Sequence, residues 1–275
     1  MSFLKTIDKM NEVVIKVKNL SKHFGQVIAV DNISFEVGKG EVFGFLGPNG
    51  AGKTTTINIL CTLLMPTAGE ATVNGFNVAS SPNEVRRSIG IIFQDPSLDE
   101  RLTAYENLNF HGMIYHLASK LRKTRIDEVL HMVGLYSKKD TIVRTFSGGM
   151  KRRLEIARGF MHSPKILFLD EPTTGLDPQT RKYIWDYIIE LSQKERITVF
   201  LTTHYMDEAE ICQRVGIIDH GKIVDLDTPD ALKNKYNVSS LNDVFLEATG
   251  RDIREEESDE KEQLGQFLRA RSKLR

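Results

Sequence analysis

The sequence predicts an α/β fold: a core built on a parallel sheet, an N-terminal antiparallel β subdomain and an inserted helical subdomain. Three observations predict it. A buried strand followed by a helix recurs, at 41–46 with 54–64 and at 166–169 with 180–191, and a further buried strand follows at 197–201. Repeated units of this kind make parallel sheets with crossover helices. Short strands flank the first unit, at 11–18, 27–30, 33–37 and 70–75. From 103 to 133 the pattern turns helical and offers no strand for the parallel sheet.

The first strand-to-helix junction reads Gly47-Pro48-Asn49-Gly50-Ala51-Gly52-Lys53-Thr54-Thr55. It fits the P-loop pattern G-x-x-x-x-G-K-[ST]. Its glycines let consecutive backbone N–H groups point into one cup, and the helix N-terminus adds partial positive charge. Such a cup holds phosphates. Lys53 would reach the β- and γ-phosphates, and the Thr54 hydroxyl would bind Mg²⁺. Thr55 could support the cup through its hydroxyl. An ordinary glycine-rich turn is the competing reading; the order strand, loop, Lys-Thr, helix weighs against it.

The other elements follow in order. Residues 11–18 alternate apolar and polar, as an exposed strand does, and 21–26 read as a turn. A short apolar strand at 88–93 ends at Gln94-Asp95-Pro96. Thr103 and Glu106 form a capping box. The helix it starts carries Phe110, Met113, Ile114 and Leu117 at i, i+3, i+4, i+7 spacing, predicting its core face. Residues 119–133 make a second amphipathic helix. Ser147 opens a third, with Met150, Leu154, Ala157 and Met161 on its apolar side. The strand at 166–169 runs into Asp170-Glu171-Pro172, and that at 197–201 runs into Thr202-Thr203-His204. Trp185 reads as core filling. Residues 215–219 and 222–225 predict a hairpin, and 228–236 and 240–248 short helices. Open α/β sheets bind ligands at the carboxyl ends of their strands, so the loop, Asp170-Glu171 and His204 can converge.

Composition narrows the function classes. Lys plus Arg and Asp plus Glu both number 37 in 275 residues, so the formal net charge is zero and no nucleic-acid partner is expected. Cys61 and Cys212 have no metal or redox spacing and read as buried small hydrophobes of a reducing compartment. No apolar run approaches the roughly 18 residues of a spanning helix, and Met1-Ser2-Phe3-Leu4-Lys5 lacks a secretory core. The expected location is cytoplasmic, with any membrane role exercised through a partner. The charged stretch from Glu255 predicts a solvated tail over 251–275, after one domain at 1–250 whose helical subdomain spans about 95–162.

In combination, these motifs resemble the ATP-binding subunit of ABC transporters, over residues 13 to 250, and most of all the daunorubicin-resistance, drug-export branch. Ser147-Gly148-Gly149, followed some twenty residues later by Leu169-Asp170-Glu171-Pro172, carries the resemblance. It implies ATP and Mg²⁺ as ligands. Phe24 would stack on adenine, although a turn-packing aromatic is the competing reading. Gln94 would contact Mg²⁺ and the attacking water, and Asp170 would hold Mg²⁺. Glu171 would act as general base, and His204 would touch the γ-phosphate. Ser147, Gly148 and Gly149 would face the ATP of the other subunit in a head-to-tail dimer, with Asp177 at the seam. The partners implied are a membrane permease and a second ATPase subunit, identical or paralogous. The chain would sit peripherally on the inner membrane face and drive export of a drug-like, lipid or polysaccharide substrate. The sequence departs from the commonest family signature: Met150 stands where Gln is usual, and Phe146 replaces Leu. Lys151-Arg152-Arg153 is expected to be a solvated helix face rather than a phosphate-steering patch. The alternatives are a non-transport ABC ATPase with a soluble partner, such as an iron–sulfur assembly factor, and a P-loop kinase, which has no reason to carry Ser147-Gly148-Gly149.

Overall fold

A computed structural model describes residues 12–94 and 97–250. β1 (Val13–Phe24) and β2 (Val27–Gly38) form an antiparallel hairpin, with Phe24 opposite Val27 and Val13 opposite Gly38. Sequence reading ends the first strand at 18 and divides the second. The structure carries both through. Asn19 and Asn32 take φ of 49° and 52°, and the ladder bends at bulges instead of stopping. The amides turned out of the ladder find hydroxyls: Asn19 N donates to Ser34 Oγ at 2.8 Å and Asn32 N to Ser21 Oγ at 2.9 Å. Turn-like residues there mark bulges, so the predicted turn at 21–26 shrinks to Gly25-Gln26.

β3 (Val42–Leu46) is buried along its whole length and feeds α1 (Lys53–Leu60). This helix stops short of its predicted end at 64. Thr62 swings to φ 63°, and Arg86 holds its carbonyl at 3.2 Å and its hydroxyl at 2.8 Å. β4 (Ala68–Val73) and β5 (Phe76–Asn77) complete a four-stranded antiparallel sheet in the order β2-β1-β4-β5. α2 (Pro82–Ser88), too short to show a period, escapes sequence reading; Pro82 begins it, as proline favours the first turn. It leads into β6 (Ile89–Ile92).

The helical insert follows: α3 (Ala104–Ile114), α4 (Ser119–Met132) and α5 (Gly148–Gly159). The capping box at Thr103 and Glu106 forms with both bonds present. The expected core face of α3 is wrong. Ala104, Leu108 and Gly112 point inward, whereas Phe110, Met113 and Ile114 are 57%, 45% and 55% exposed. Leu117 alone of the four packs against the core. The helix carries two apolar stripes, and periodicity cannot say which one the rest of the chain covers.

β7 (Ile166–Asp170), α6 (Pro178–Glu195), β8 (Thr198–Thr203), α7 (Met206–Glu210), β9 (Arg214–Asp219), β10 (Lys222–Asp227), α8 (Pro229–Tyr236) and α9 (Leu241–Thr249) complete the described chain. The second sheet has the order β10-β9-β3-β8-β7-β6; β9, β3, β8, β7 and β6 are parallel and β10 closes an antiparallel edge. Phe35 of β2 stacks on Phe43 of β3 at 5.6 Å between ring centroids, and Phe43 on Phe200 of β8 at 5.4 Å. This aromatic layer joins the two sheets. Trp185 is core, as expected, and both cysteines are free and buried. Among the described residues no helix is long and apolar enough to cross a membrane. The tail at 251–275 lies outside the described residues.

In the insert, His111 packs against Tyr115 and His162, with ring centroids 4.9 and 6.2 Å away. Burial, with Arg158 and His162 nearby, lowers its pKa from 6.5 to about 3. The folded state thus refuses a proton that the unfolded chain accepts. The stability this neutral ring supports is complete above its ordinary pKa and is lost as pH falls toward the folded value. Urea unfolding between about pH 7 and pH 4 should show stability falling, and His111→Gln should flatten part of that slope. Identical slopes in parent and variant would clear His111 as a cause.

Candidate functional site

Two close approaches shape the loop after β3. A Cβ on Gly47 would lie 2.4 Å from the Ile218 carbonyl oxygen, and one on Gly52 the same 2.4 Å from that of Ala29. Gly50 and Gly52 also sit at φ 77° and 103°, where side chains are disfavoured. Gly52 caps α1 with no side chain, so the first amides of the helix stay free for an anion. Ala51 is buried, Pro48 half-buried, and Asn49 and Gly50 exposed at the rim. Lys53, 4% exposed, donates to the carbonyls of Gly47 at 2.8 Å and Pro48 at 3.0 Å. Thr54 is exposed and Thr55 half-buried.

β7 and β8 lie side by side and deliver the acidic groups. Asp170 Oδ1 accepts hydrogen bonds from Thr202 Oγ1 at 2.5 Å and Thr54 Oγ1 at 3.3 Å. Burial raises the Asp170 pKa; the two hydroxyls oppose the rise without cancelling it. Glu171 then turns the chain at φ 45°, a region that costs a non-glycine residue energy and gathers at working sites. Its carboxylate lies 3.2 Å from Lys53 Nζ and 3.2 Å from His204 Nδ1, and it accepts from Thr174 Oγ1 at 3.3 Å and Gln94 Nε2 at 3.5 Å. Burial alone would push Glu171 up. Lys53 and His204 outweigh it and hold the carboxyl below the usual range. Lys53 is itself pulled down by burial, against Glu171 and Asp170. At neutral pH the cluster therefore offers an ionised carboxylate, an acceptor that can take a proton from water. Asp170 and the Thr54 hydroxyl, 3.3 Å apart, offer hard oxygen donors of the kind that suit Mg²⁺, and the Gln94 side-chain amide, 3.5 Å from Glu171, carries another. Among the described residues the hydrogen bonds to Asp170 come from hydroxyls, which suits a carboxylate built to meet a cation.

The remaining sequence candidates sit apart. Ser147 is exposed and caps α5, accepting from Met150 N at 3.3 Å. Gly148 is open, and a Cβ on Gly149 would lie 2.7 Å from Thr180 Cγ2. Thr180 is held in turn by Asp177, the cap of α6, through N–H at 2.9 Å and hydroxyl at 2.6 Å. Two helix N-termini thus lie together. Among the described residues no hydrogen bond or ion pair ties Ser147, Gly148, Gly149 or Asp177 to residues 47–55. Phe24 stands at the tip of the β1–β2 hairpin, half-buried, with Lys22 Nζ 5.0 Å from its ring centroid.

One expectation fails outright. Arg152 is not on a solvated face: it is 7% exposed and bonds the carbonyls of Phe93, at 2.7 Å, and Pro172. Arg153 likewise reaches the Val133 carbonyl at 3.0 Å, whereas Lys151 pairs at the surface with Glu100. Sequence reading also missed Glu208. It is 1% exposed and accepts from Thr173, from Trp185 Nε1 at 3.0 Å and from Thr203 Oγ1 at 2.5 Å. A carboxylate so placed braces the turns after Glu171 and before His204. No spacing rule in the sequence announces it.

Residues 30–174 match the ABC transporter family. The chain belongs to that family. It is an ATPase of the ABC type, with the family's nucleotide-binding cassette. It is 42% identical over 239 residues to the daunorubicin resistance ATP-binding protein DrrA2 of Streptomyces coeruleorubidus, covering 86% of this chain and 74% of that one. It is 43% identical over 222 residues to the Probable multidrug ABC transporter ATP-binding protein YbhF of Escherichia coli, covering 81% of this chain. The match spans 38% of that longer protein. Among solved structures, a dimeric ATP-binding cassette in a post-hydrolysis state with ADP and phosphate superimposes with TM-score 0.70 at 29% identity. That superposition covers 78% of this chain and 98% of the cassette.

Because burial raises Asp170, its ionised form opposes folding at neutral pH, and the opposition grows as pH rises through the folded pKa. Asp170→Asn should therefore stabilise the nucleotide-free protein by about 0.5–2 kcal/mol while ATP hydrolysis is lost. Calorimetry and phosphate release measure both, and a lowered melting temperature would contradict the charge argument.

Proposed function

We propose that this chain is the ATP-binding subunit of an exporter, hydrolysing ATP in a head-to-tail dimer to drive a drug-like, lipid or polysaccharide substrate through a separate membrane permease. The supporting observation is the split in the candidate residues. The loop at 47–55, Gln94, Asp170, Glu171 and His204 converge, while Ser147, Gly149 and Asp177 sit at two helix starts that, among the described residues, make no bond to the loop. A second copy, or a paralogue, turned head to tail would bring such a start to the γ-phosphate. The dimeric cassette among the similar structures supports the arrangement, and the drug-resistance names of the relatives support export.

The residues then divide the work. The amides of Gly50 to Thr54 cradle the phosphates, and Lys53 leaves the carbonyls of Gly47 and Pro48 for the β- and γ-phosphates. Thr54, Gln94 and Asp170 would hold Mg²⁺, which supplies charge neutralisation on the phosphates when bound. Glu171, kept ionised by Lys53 and His204, orients water for in-line attack and accepts its proton. His204 contacts the γ-phosphate. Phe24 stacks on the adenine, a contact of about 1–3 kcal/mol for an aromatic platform. The exposed stripe of Phe110, Met113 and Ile114 on α3 gives the permease an apolar face, so closure of the dimer reaches the membrane through the helical insert.

Glu171→Gln should reduce steady-state hydrolysis at least about 100-fold, keep ATP binding and accumulate a dimer on size exclusion. Turnover at the parent rate would remove Glu171 as the base. Phe110→Ser with Met113→Ser should leave the ATPase rate of the isolated chain within about twofold, yet abolish co-purification with a multi-span membrane protein. Retention of that partner, or capture of a soluble one instead, would overturn the docking assignment.

A further inference from the structure

Helix α5 does more than present Ser147. Two turns of it hold Phe93 and Ser97, which precede and follow Gln94 in the chain. Arg152 Nη1 donates to the Phe93 carbonyl at 2.7 Å, immediately before Gln94. Glu155 Oε1 accepts from Ser97 N at 2.8 Å, and Arg158 Nη1 donates to the Ser97 carbonyl at 2.6 Å. Arg152 Nε reaches in addition to the carbonyl of Pro172, the residue after Glu171. The guanidinium thus bridges two chain segments whose next side chains, Gln94 and Glu171, meet at 3.5 Å. Glu155, 2.8 Å from Arg152 Nη1, balances its charge, and the two are 2% and 7% exposed. A buried charge pair of this kind is weak as a source of stability, because desolvation offsets the attraction. Its geometric content is specific: a planar fork with donors in fixed directions spans two carbonyls from separate segments, where a lysine ammonium is a point charge without a preset fork.

We propose that Arg152, held by Glu155, is a positioning residue that fixes Gln94 and Glu171 relative to each other and couples both to α5. The helix that offers its N-terminus to one nucleotide thereby sets the alignment of the hydrolytic groups at the other. This rests on the dimeric reading above. Within it, displacement of α5 on meeting a γ-phosphate moves the Phe93 and Pro172 carbonyls together, and hydrolysis follows closure.

The test separates alignment from folding. Arg152→Met should lower kcat about 10–100-fold, with ATP KM and nucleotide affinity within about twofold of the parent, since misplacement costs rate rather than binding. It also strands the Glu155 charge, so its melting temperature should fall. The double variant Arg152→Met/Glu155→Leu replaces the pair by apolar side chains and should recover the melting temperature while kcat stays low. Arg152→Lys keeps the charge without the fork and should give an intermediate kcat. The proposal falls if kcat returns with stability in the double variant, if Arg152→Lys matches the parent, or if Arg152→Met does. Glu171→Gln, assayed beside them, keeps the two claims distinct. An inactive Glu171→Gln with a fully active Arg152→Met overturns only the positioning role.

Discussion

The ion pair between Lys53 and Glu171 is the constraint on which the rest of the site depends. It is 3.2 Å long and almost wholly shielded from water. Its members come from different strands, one just after β3 and one just after β7, with β8 between them. Only a parallel arrangement brings both carboxyl ends to the same edge. The pair fixes the chemistry in the same step. Burial would protonate Glu171 and deprotonate Lys53. Each holds the other against that tendency, and His204 adds its weight on the carboxylate side. A glutamate kept ionised in a dry place is what a water-activating base requires. Asp170, one residue earlier, has no direct cation among the described residues and is pushed the opposite way. Two adjacent carboxylates thus differ in pKa direction through their neighbours, and the proposed division into base and cation ligand rests on that difference.

Local signals made the parallel core legible. Fully apolar strands, a glycine-rich loop and a helix after each strand point to one topology, and the β9–β10 hairpin and the last two helices fall where turn residues place them. The misses have physical causes. In the first hairpin, Asn19 and Asn32 look like strand ends but are bulges, because hydroxyls on neighbouring residues satisfy the amides that the ladder releases. In α3 both stripes are apolar, and only the tertiary context decides which one the chain covers. The candidate site was legible wherever residues follow strand ends. It was not legible where a side chain acts through backbone carbonyls. Arg152 lies in a run of three basic residues that looks solvated, and nothing in the run says which of them turns inward. Glu208 lies on a five-residue helix too short to show a period.

The two missed residues share a logic. Glu208 ties Thr173 to Thr203, so the turn after Glu171 is joined to the residue before His204. Arg152 ties Phe93 to Pro172, so the approach to Gln94 is joined to the same turn. Both braces end within two residues of Glu171, and that residue holds a backbone conformation at φ 45° that no local preference supports. A strained dihedral persists only where its surroundings over-determine it. Glu208 belongs to the core and Arg152 to the helical insert, so Glu171 is held from two bodies. A base held from one body would be indifferent to how the insert sits. Held from two, Glu171 keeps its place only when insert and core stand in one relation, and on the proposed dimeric reading that relation is what a second nucleotide at the start of α5 would change.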